Sequence, residues 1–373
     1  MNTIVYVGMA VHKESYTLCC YTYDRDKVEY KQTIPADYRM ILKYMERIRE
    51  RYESEVRFVC GYEAGCLGYS LYNQLKAHAV ECRILAPTTM AITNTNRVKT
   101  DRRDAANIAR CLAFRTYSEV YVPDEEDVSI KEYIRMRDDQ KLMLKKIKQQ
   151  ILSFVLRKGK RFESGKTYWM IAHVKWLRNL ELEGLEKETL SEYLITYEYL
   201  VDKIKRFDER IEELAGKEKY NEKVKNMSCL LGIKTHTALS MLVEVGDFER
   251  FEKAPMFAAF LGLVPGENTT SDSVNRLSIT KAGNSHLRRL RVEAAQSYTR
   301  GTIGHKSVVL KERQKNCSPE VVAYAGKANE RLRRKFYRMT LQKNINRNVA
   351  ATVVARELAC FIWGHEHRQH QLK

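Results

Sequence analysis

The sequence predicts an α/β domain followed by an all-α region. Three observations carry this: β-rich apolar runs alternate with helical spacing up to residue 86, apolar residues recur in unbroken steps of three and four from 190 to 214, and basic residues crowd the last quarter. At 373 residues and 44% hydrophobic content, the chain can bury more than one core. Its formal charge of +18 calls for a polyanionic partner, because clustered Lys and Arg displace the counterions condensed on nucleic acid. Residues 276–373 hold 21 Lys and Arg against 6 acids, so most of that excess lies there. Nine cysteines without CxxC pairs suggest reduced thiols, and no apolar stretch is long enough to span a bilayer. The expectation is a cytoplasmic, nucleoid-associated protein.

Residues 3–11, 16–23 and 28–35 are rich in Val, Ile, Tyr and Thr with polar breaks, and read as three strands. Ile41, Met45, Ile48 and Tyr52 follow at helical spacing; then come a strand over 56–62, a helix over 67–79 and a strand over 81–86. Thr100 can cap a helix from Asp101 to about Phe114. This succession is the ribonuclease H order, in which a mixed sheet brings carboxylates from its first strand, fourth strand and last helix to one point.

Glu63 ends the fourth strand, and Asp101 and Asp104, three apart, share a face of the helix. Ala10 sits on the first strand where a fourth carboxylate would complete a cage. A hard divalent cation needs several converging oxygen ligands, and phosphodiester chemistry commonly uses such a cage. Two acids in a helical first turn also complement the macrodipole, so the pair alone does not define a site.

Residues 125–218 read as a coiled-coil stalk. Leu190, Tyr193, Tyr197, Leu200, Ile204, Phe207, Ile211 and Leu214 form one seam; an earlier one through Ile130, Tyr133, Leu144, Ile147, Ile151 and Phe154 is interrupted at Arg137 and Gln140. The pattern leaves open whether the two helices pair within the chain or between subunits. Trp169, His173 and Trp176 read as core. Residues 230–235 and the helical run after them partly match a helix-hairpin-helix, with Lys234 where a second glycine is usual. The segment 268–275 reads as a polar loop, and His365, His367 and His370 as part of a polar tail.

The stretch MFAAFLGLVPGENTTSDSVNRLSITKAGNSHLRRLRVEAA at 256–295, with KTDRRDAANIA at 99–109, resembles the DEDD transposases of the insertion-sequence "one-ten" family, the bridge-RNA-guided recombinases. The resemblance covers essentially the whole chain. It implies a RuvC-like domain over 1–124, a coiled-coil linker over 125–218 and a mainly helical transposase domain over 219–373. Ala10 stands where the family carries aspartate, and Glu63, Asp101 and Asp104 match the other members that hold Mg2+. The family's serine nucleophile aligns with Thr270, with Ser271 next to it. Implied partners are a structured guide RNA, donor and target double-stranded DNA, and further copies of the chain as a dimer or a dimer of dimers.

Candidate nucleic-acid contacts are Lys99, Arg102, Arg103, Lys234, Arg276, Lys281, His286, Arg288, Arg289 and Arg291, and a second basic run of Arg331, Arg333, Arg334, Lys335 and Arg338 interleaved with Phe336 and Tyr337. The expected activity is RNA-guided cleavage and rejoining of DNA, impaired in this copy by Ala10. A ribonuclease H-like junction-resolving nuclease and a non-catalytic nucleic-acid-binding regulator are the alternatives.

Overall fold

The computed structural model describes the chain apart from residues 1–2, 66, 92–99, 164–166, 271–272 and 372–373. It divides into two compact units, residues 1–122 and 123–373.

In the first unit, strands β1 (Thr3–Val11), β2 (Ser15–Thr22), β3 (Lys27–Pro35), β4 (Val56–Glu63) and β5 (Glu81–Leu85) form one sheet in the order β3-β2-β1-β4-β5. β1 pairs antiparallel with β2 and parallel with β4, and β4 pairs parallel with β5, giving the mixed sheet of a ribonuclease H-like fold. Alternation along β1 and β4 divides their side chains between two layers. Val5, Val7, Met9, Phe58, Cys60 and Tyr62 pack with Ile41, Met45 and Ile48 of α1 (Tyr38–Arg49) and with Leu71 and Leu75 of α2 (Ser70–Ala77). Each such burial stabilises by roughly 1.5–3 kcal/mol.

The opposite face carries Gly8, Ala10, Gly61 and Glu63, and α3 (Asp101–Phe114) lies on it. Small residues let its backbone come close: a Cβ on Gly8 would meet Ala105 O at 2.0 Å and Ala109 N at 2.4 Å. Ala105 and Ala109 lie against Gly8, whereas Ala113 O accepts from Tyr23 and Phe114 packs on Tyr21, which pairs with Tyr6 nearer the start of β1. Thr100 caps α3 by accepting from Arg103 N, and Arg115 ends it in a left-handed conformation.

Among its described residues the second unit is helical except for one hairpin. α4 (Glu125–Arg157) and α6 (Gly184–Ala215) pack on each other within the chain. Ile130 and Ile134 cluster with Ile211 and Leu214, while Ile151 and Phe154 cluster with Leu190 and Leu194, so the two helices run antiparallel. The break in the α4 seam has a cause: Arg137 is buried and clasps Asp208 of α6 through Nε and a second guanidinium nitrogen, at 2.7 and 3.0 Å. α5 (Ile171–Arg178) sets His173, fully buried, among Trp169 and Trp176.

Next come α7 (Glu218–Met227), α8 (Thr235–Val245), α9 (Ala254–Phe260), the hairpin β6 (Pro265–Thr270) and β7 (Ser273–Ile279), α10 (Ser285–Ala295), α11 (Val308–Gln314), α12 (Pro319–Tyr337) and α13 (Arg347–Gln371). Two loop readings are corrected. Residues 268–270 and 273–275 are paired strands, with Asn268 opposite Asn275 and Thr270 opposite Ser273; cross-strand pairing satisfies backbone groups that polar composition alone assigns to a loop. The histidines at the end belong to α13, where His365 is buried beside Tyr324 and His367 stacks on Trp363 at 4.0 Å. Among the described residues no helix is long and apolar enough to cross a membrane.

Candidate active site

The carboxylate rim is built where the parallel strands end. Met9 pairs with Tyr62, and one further step in register sets Ala10 beside Glu63 on the α3 face, about 4.8 Å away at normal strand spacing. α3 runs against β1, so its first turn reaches this same end. His12, immediately after β1, closes the gap: its Nε2 lies 3.1 Å from Asp101 Oδ1. Asp101 is exposed, and Asp104 and Glu63 are half-buried. Both aspartates occupy the first turn, where the unpaired backbone N–H groups favour negative charge.

Ala10 is 6% exposed and packs with Cys19, Ala105 and Ala109. Among the described residues no three His, Cys, Asp or Glu side chains converge closely enough to hold one metal ion. The donors suit a hard cation by chemistry, but as they stand they do not close a cage. The position facing Glu63 is a methyl group, and Asp101 is turned onto His12. Arg102 and Arg103 are exposed beside this rim, while Lys99 lies outside the described residues.

In the helical unit, Gly262 at φ +65° carries the chain into β6; a Cβ there would meet Ala282 O at 2.1 Å. Of Thr270 and Arg276 the structure describes the backbone on the hairpin, and Ser271 lies outside the described residues. Lys234 is exposed at the start of α8, and Lys281 is exposed in a left-handed turn. Arg288 donates to the carbonyls of Leu261 and Ala282, both at 3.1 Å, and so braces that turn. Arg334 and Arg338 are exposed and Lys335 is half-buried. Arg291 and Phe336 are fully buried, and Arg333, 4% exposed, donates to Thr302 O at 2.8 Å.

His286 and Arg289 belong to a charged centre that sequence reasoning missed. Asp138 of α4 is 4% exposed and receives His286 Nε2 at 2.8 Å, Arg137 at 2.9 Å, and Arg289. His236 of α8 completes the ring, its Nε2 3.0 Å from Asp138 Oδ1 but out of hydrogen-bond alignment. His286 Nδ1 lies 2.6 Å from Glu244 Oε1, again misaligned, and Glu244 also receives Arg135 at 2.8 Å and Asn284 at 2.5 Å.

Burial by itself would raise the Asp138 carboxyl, but the close approach of the His236 and His286 ring nitrogens and of the Arg137 guanidinium holds it well below the usual carboxylate range. Glu244 is likewise lowered to about 2, its burial outweighed by His286, Arg135 and Asn284. His286 faces carboxylates through both ring nitrogens, so its value is raised despite burial. Asp138 comes from α4, His236 and Glu244 from the two ends of α8, and His286 from α10, at spacings that signal nothing in sequence.

A ribonuclease H-like sheet with carboxylates at its strand ends, ahead of a basic helical unit, is the architecture of a nucleic-acid-processing protein. A family model described as "Transposase", for the DEDD transposases of the IS110 type, matches residues 7–158, and one described as "Transposase IS116/IS110/IS902 family" matches residues 225–306. The chain is 33% identical over 344 residues to a transposase for insertion sequence element IS1533 of Leptospira borgpetersenii, covering 90% of this chain and 96% of that one. It is 32% identical to the putative transposase y4qE of Sinorhizobium fredii, covering 96% and 87%. A transposase for IS1111A of Coxiella burnetii is 25% identical over about half of each chain. The chain belongs to the IS110 family of transposases, and its class of activity is the cutting and rejoining of DNA.

Proposed function

We propose that this chain is an RNA-guided DNA recombinase whose recognition functions are intact and whose strand cleavage is impaired. A structured RNA pairs with donor and target DNA, and the protein holds phosphates and heteroduplex geometry. The attacking hydroxyl is that of Thr270 or Ser271; copies of the chain assemble to hold two duplexes. Glu63, Asp101 and Asp104 are the remaining ligands of a magnesium site that requires a fourth carboxylate. Magnesium, when bound to the complete set, would offset charge on the reacting phosphate oxygens.

The observation that carries the reading is Ala10, a buried methyl beside Glu63 at the rim where β1, β4 and α3 meet. The remaining carboxylates come without a closed donor set, which favours binding without turnover.

The test restores the missing ligand. Purified Ala10→Asp protein, with the RNA that copurifies, is assayed for strand exchange in magnesium and for a covalent protein–DNA adduct after denaturation. Gain of both over the parent supports the reading, and Thr270→Ala and Ser271→Ala in that background identify the nucleophile. A restored protein no more active than the parent refutes the cage. Activity that survives loss of both hydroxyls assigns the attack to water and the protein to the nucleases. A preparation without a discrete RNA removes the guide.

A further inference from the structure

The second basic run divides in two once folded. Ala325, Ala328, Leu332 and Phe336 of α12 are buried in the core of the helical unit together with Ala350, Val354 and Leu358 of α13. Lys327, Arg331, Arg334 and Arg338 recur at steps of four, three and four, and therefore share the other face. They border a recess of about 980 Å³ between α12, α13 and a single π-helical turn at Arg338–Gln342.

Three properties coincide there. First, the charge is lopsided: with Lys335, five cations line the recess against Glu330 and Glu357. Glu357 holds Arg331 and Lys335, and Glu330 meets Arg334 at 3.4 Å; Lys327 and Arg338 face no carboxylate partner among the described residues. Second, the walls are aromatic and fixed. Tyr324 donates to Phe361 O at 2.9 Å and Tyr337 to Gly301 O at 2.7 Å, so the phenol hydroxyls are engaged while the half-buried rings line the space. Third, the rim is apolar, with Leu341 77% and Ile303 41% exposed. Such side chains in water cost free energy that an occupant would recover.

A duplex backbone needs cations but no aromatic recess, whereas a nucleotide lifted out of pairing presents both a phosphate and a flat apolar base. The geometry points to this recess as a site for an unpaired nucleotide stretch, with phosphates on Lys327 and Arg338 and a base against the tyrosines and Leu341. The inference rests on the nucleic-acid reading above and names the part of the ligand held here. The π turn that ends α12 fits that role, since such turns occur frequently at functional sites.

The full chain, freed of copurifying RNA, is titrated with fluorescent 20-nucleotide oligouridylate, 20-nucleotide oligothymidylate and a mixed-sequence 20-base-pair duplex. The Lys327→Glu/Arg338→Glu and Leu341→Ser variants are compared with the parent. All three positions are exposed, and circular dichroism and the melting temperature check that the fold is kept. The charge variant is expected to lose about 10-fold or more in single-strand affinity, with duplex affinity changed by less than about 3-fold. Quenching of a 2-aminopurine in the strand should fall with Leu341→Ser. The ratio of uridylate to thymidylate binding identifies RNA or displaced DNA as the source. Single-strand binding unchanged in the variants, or falling in step with duplex binding, overturns the site while leaving nucleic-acid binding in place. A parent that binds none of the three probes overturns both.

Discussion

Replacing Ala10 by Asp tests the rim without relying on turnover. The new carboxylate would sit about 4.8 Å from Glu63 across adjacent parallel strands, close to Asp101 and Asp104. At an effective dielectric of about 20, one such like-charge pair costs about 3 kcal/mol. A first unit of 122 residues should then melt about 10 °C lower than the parent in EDTA. A divalent cation that binds the completed set returns that stability by linkage, about 2.7 kcal/mol at a hundred times its dissociation constant. Ala10→Asn supplies the size without the charge and should show neither the full loss nor the recovery. The assay is thermal unfolding of all three proteins by circular dichroism, in EDTA and across a magnesium titration. A variant that melts within 2 °C of the parent, with no dependence on magnesium, would mean that position 10 does not address the rim, and the cage would have to be abandoned.

The charged centre yields two further expectations. Asp138→Asn leaves His286, His236 and Arg289 with an uncharged partner in a buried setting and should destabilise the helical unit by about 3–5 kcal/mol, read by urea denaturation. His286 has a raised value in the folded protein, so its contribution is complete below about pH 6.5 and is lost as pH rises through that folded value. Asp138 and Glu244 are lowered, and theirs is complete above about pH 4 and lost as pH falls through the folded values. With Arg135, Arg137, Arg289 and His236 facing the same carboxylates, denaturant midpoints should be highest between these limits. They should decline on the alkaline side, and His286→Asn should flatten that decline. In the first unit, Gly8→Ala drives a methyl into the α3 backbone and should cost about 3 kcal/mol or more, seen as a lowered melting temperature; an unchanged value would contradict the close packing.

The first unit was legible because each of its elements carries a local signal. Period-two apolar runs mark the strands, Thr100 marks the start of α3, and the strand and helix order leaves few ways to assemble the sheet. Glu63 and Asp101 were legible as the end of one element and the start of another. The β6–β7 hairpin was not legible, because its polar composition matches a loop and only pairing across the turn distinguishes it. Basic helices were legible as charge but not as surface. Arg291 and Arg333 are spaced like their more accessible basic neighbours yet are buried, and His286 is spent on Asp138 and Glu244.

What the sequence alone determined, then, is the kind of chain this is: its polyanion-seeking charge and the order of its strands and helices. These are properties of composition and short-range periodicity, written residue by residue. Tertiary structure decided which cations meet solvent, that α4 and α6 pair with each other inside one chain, and that Asp138, His236, Glu244 and His286 share one centre. Those outcomes depend on distances between residues as many as 148 positions apart, and no local pattern encodes such a distance.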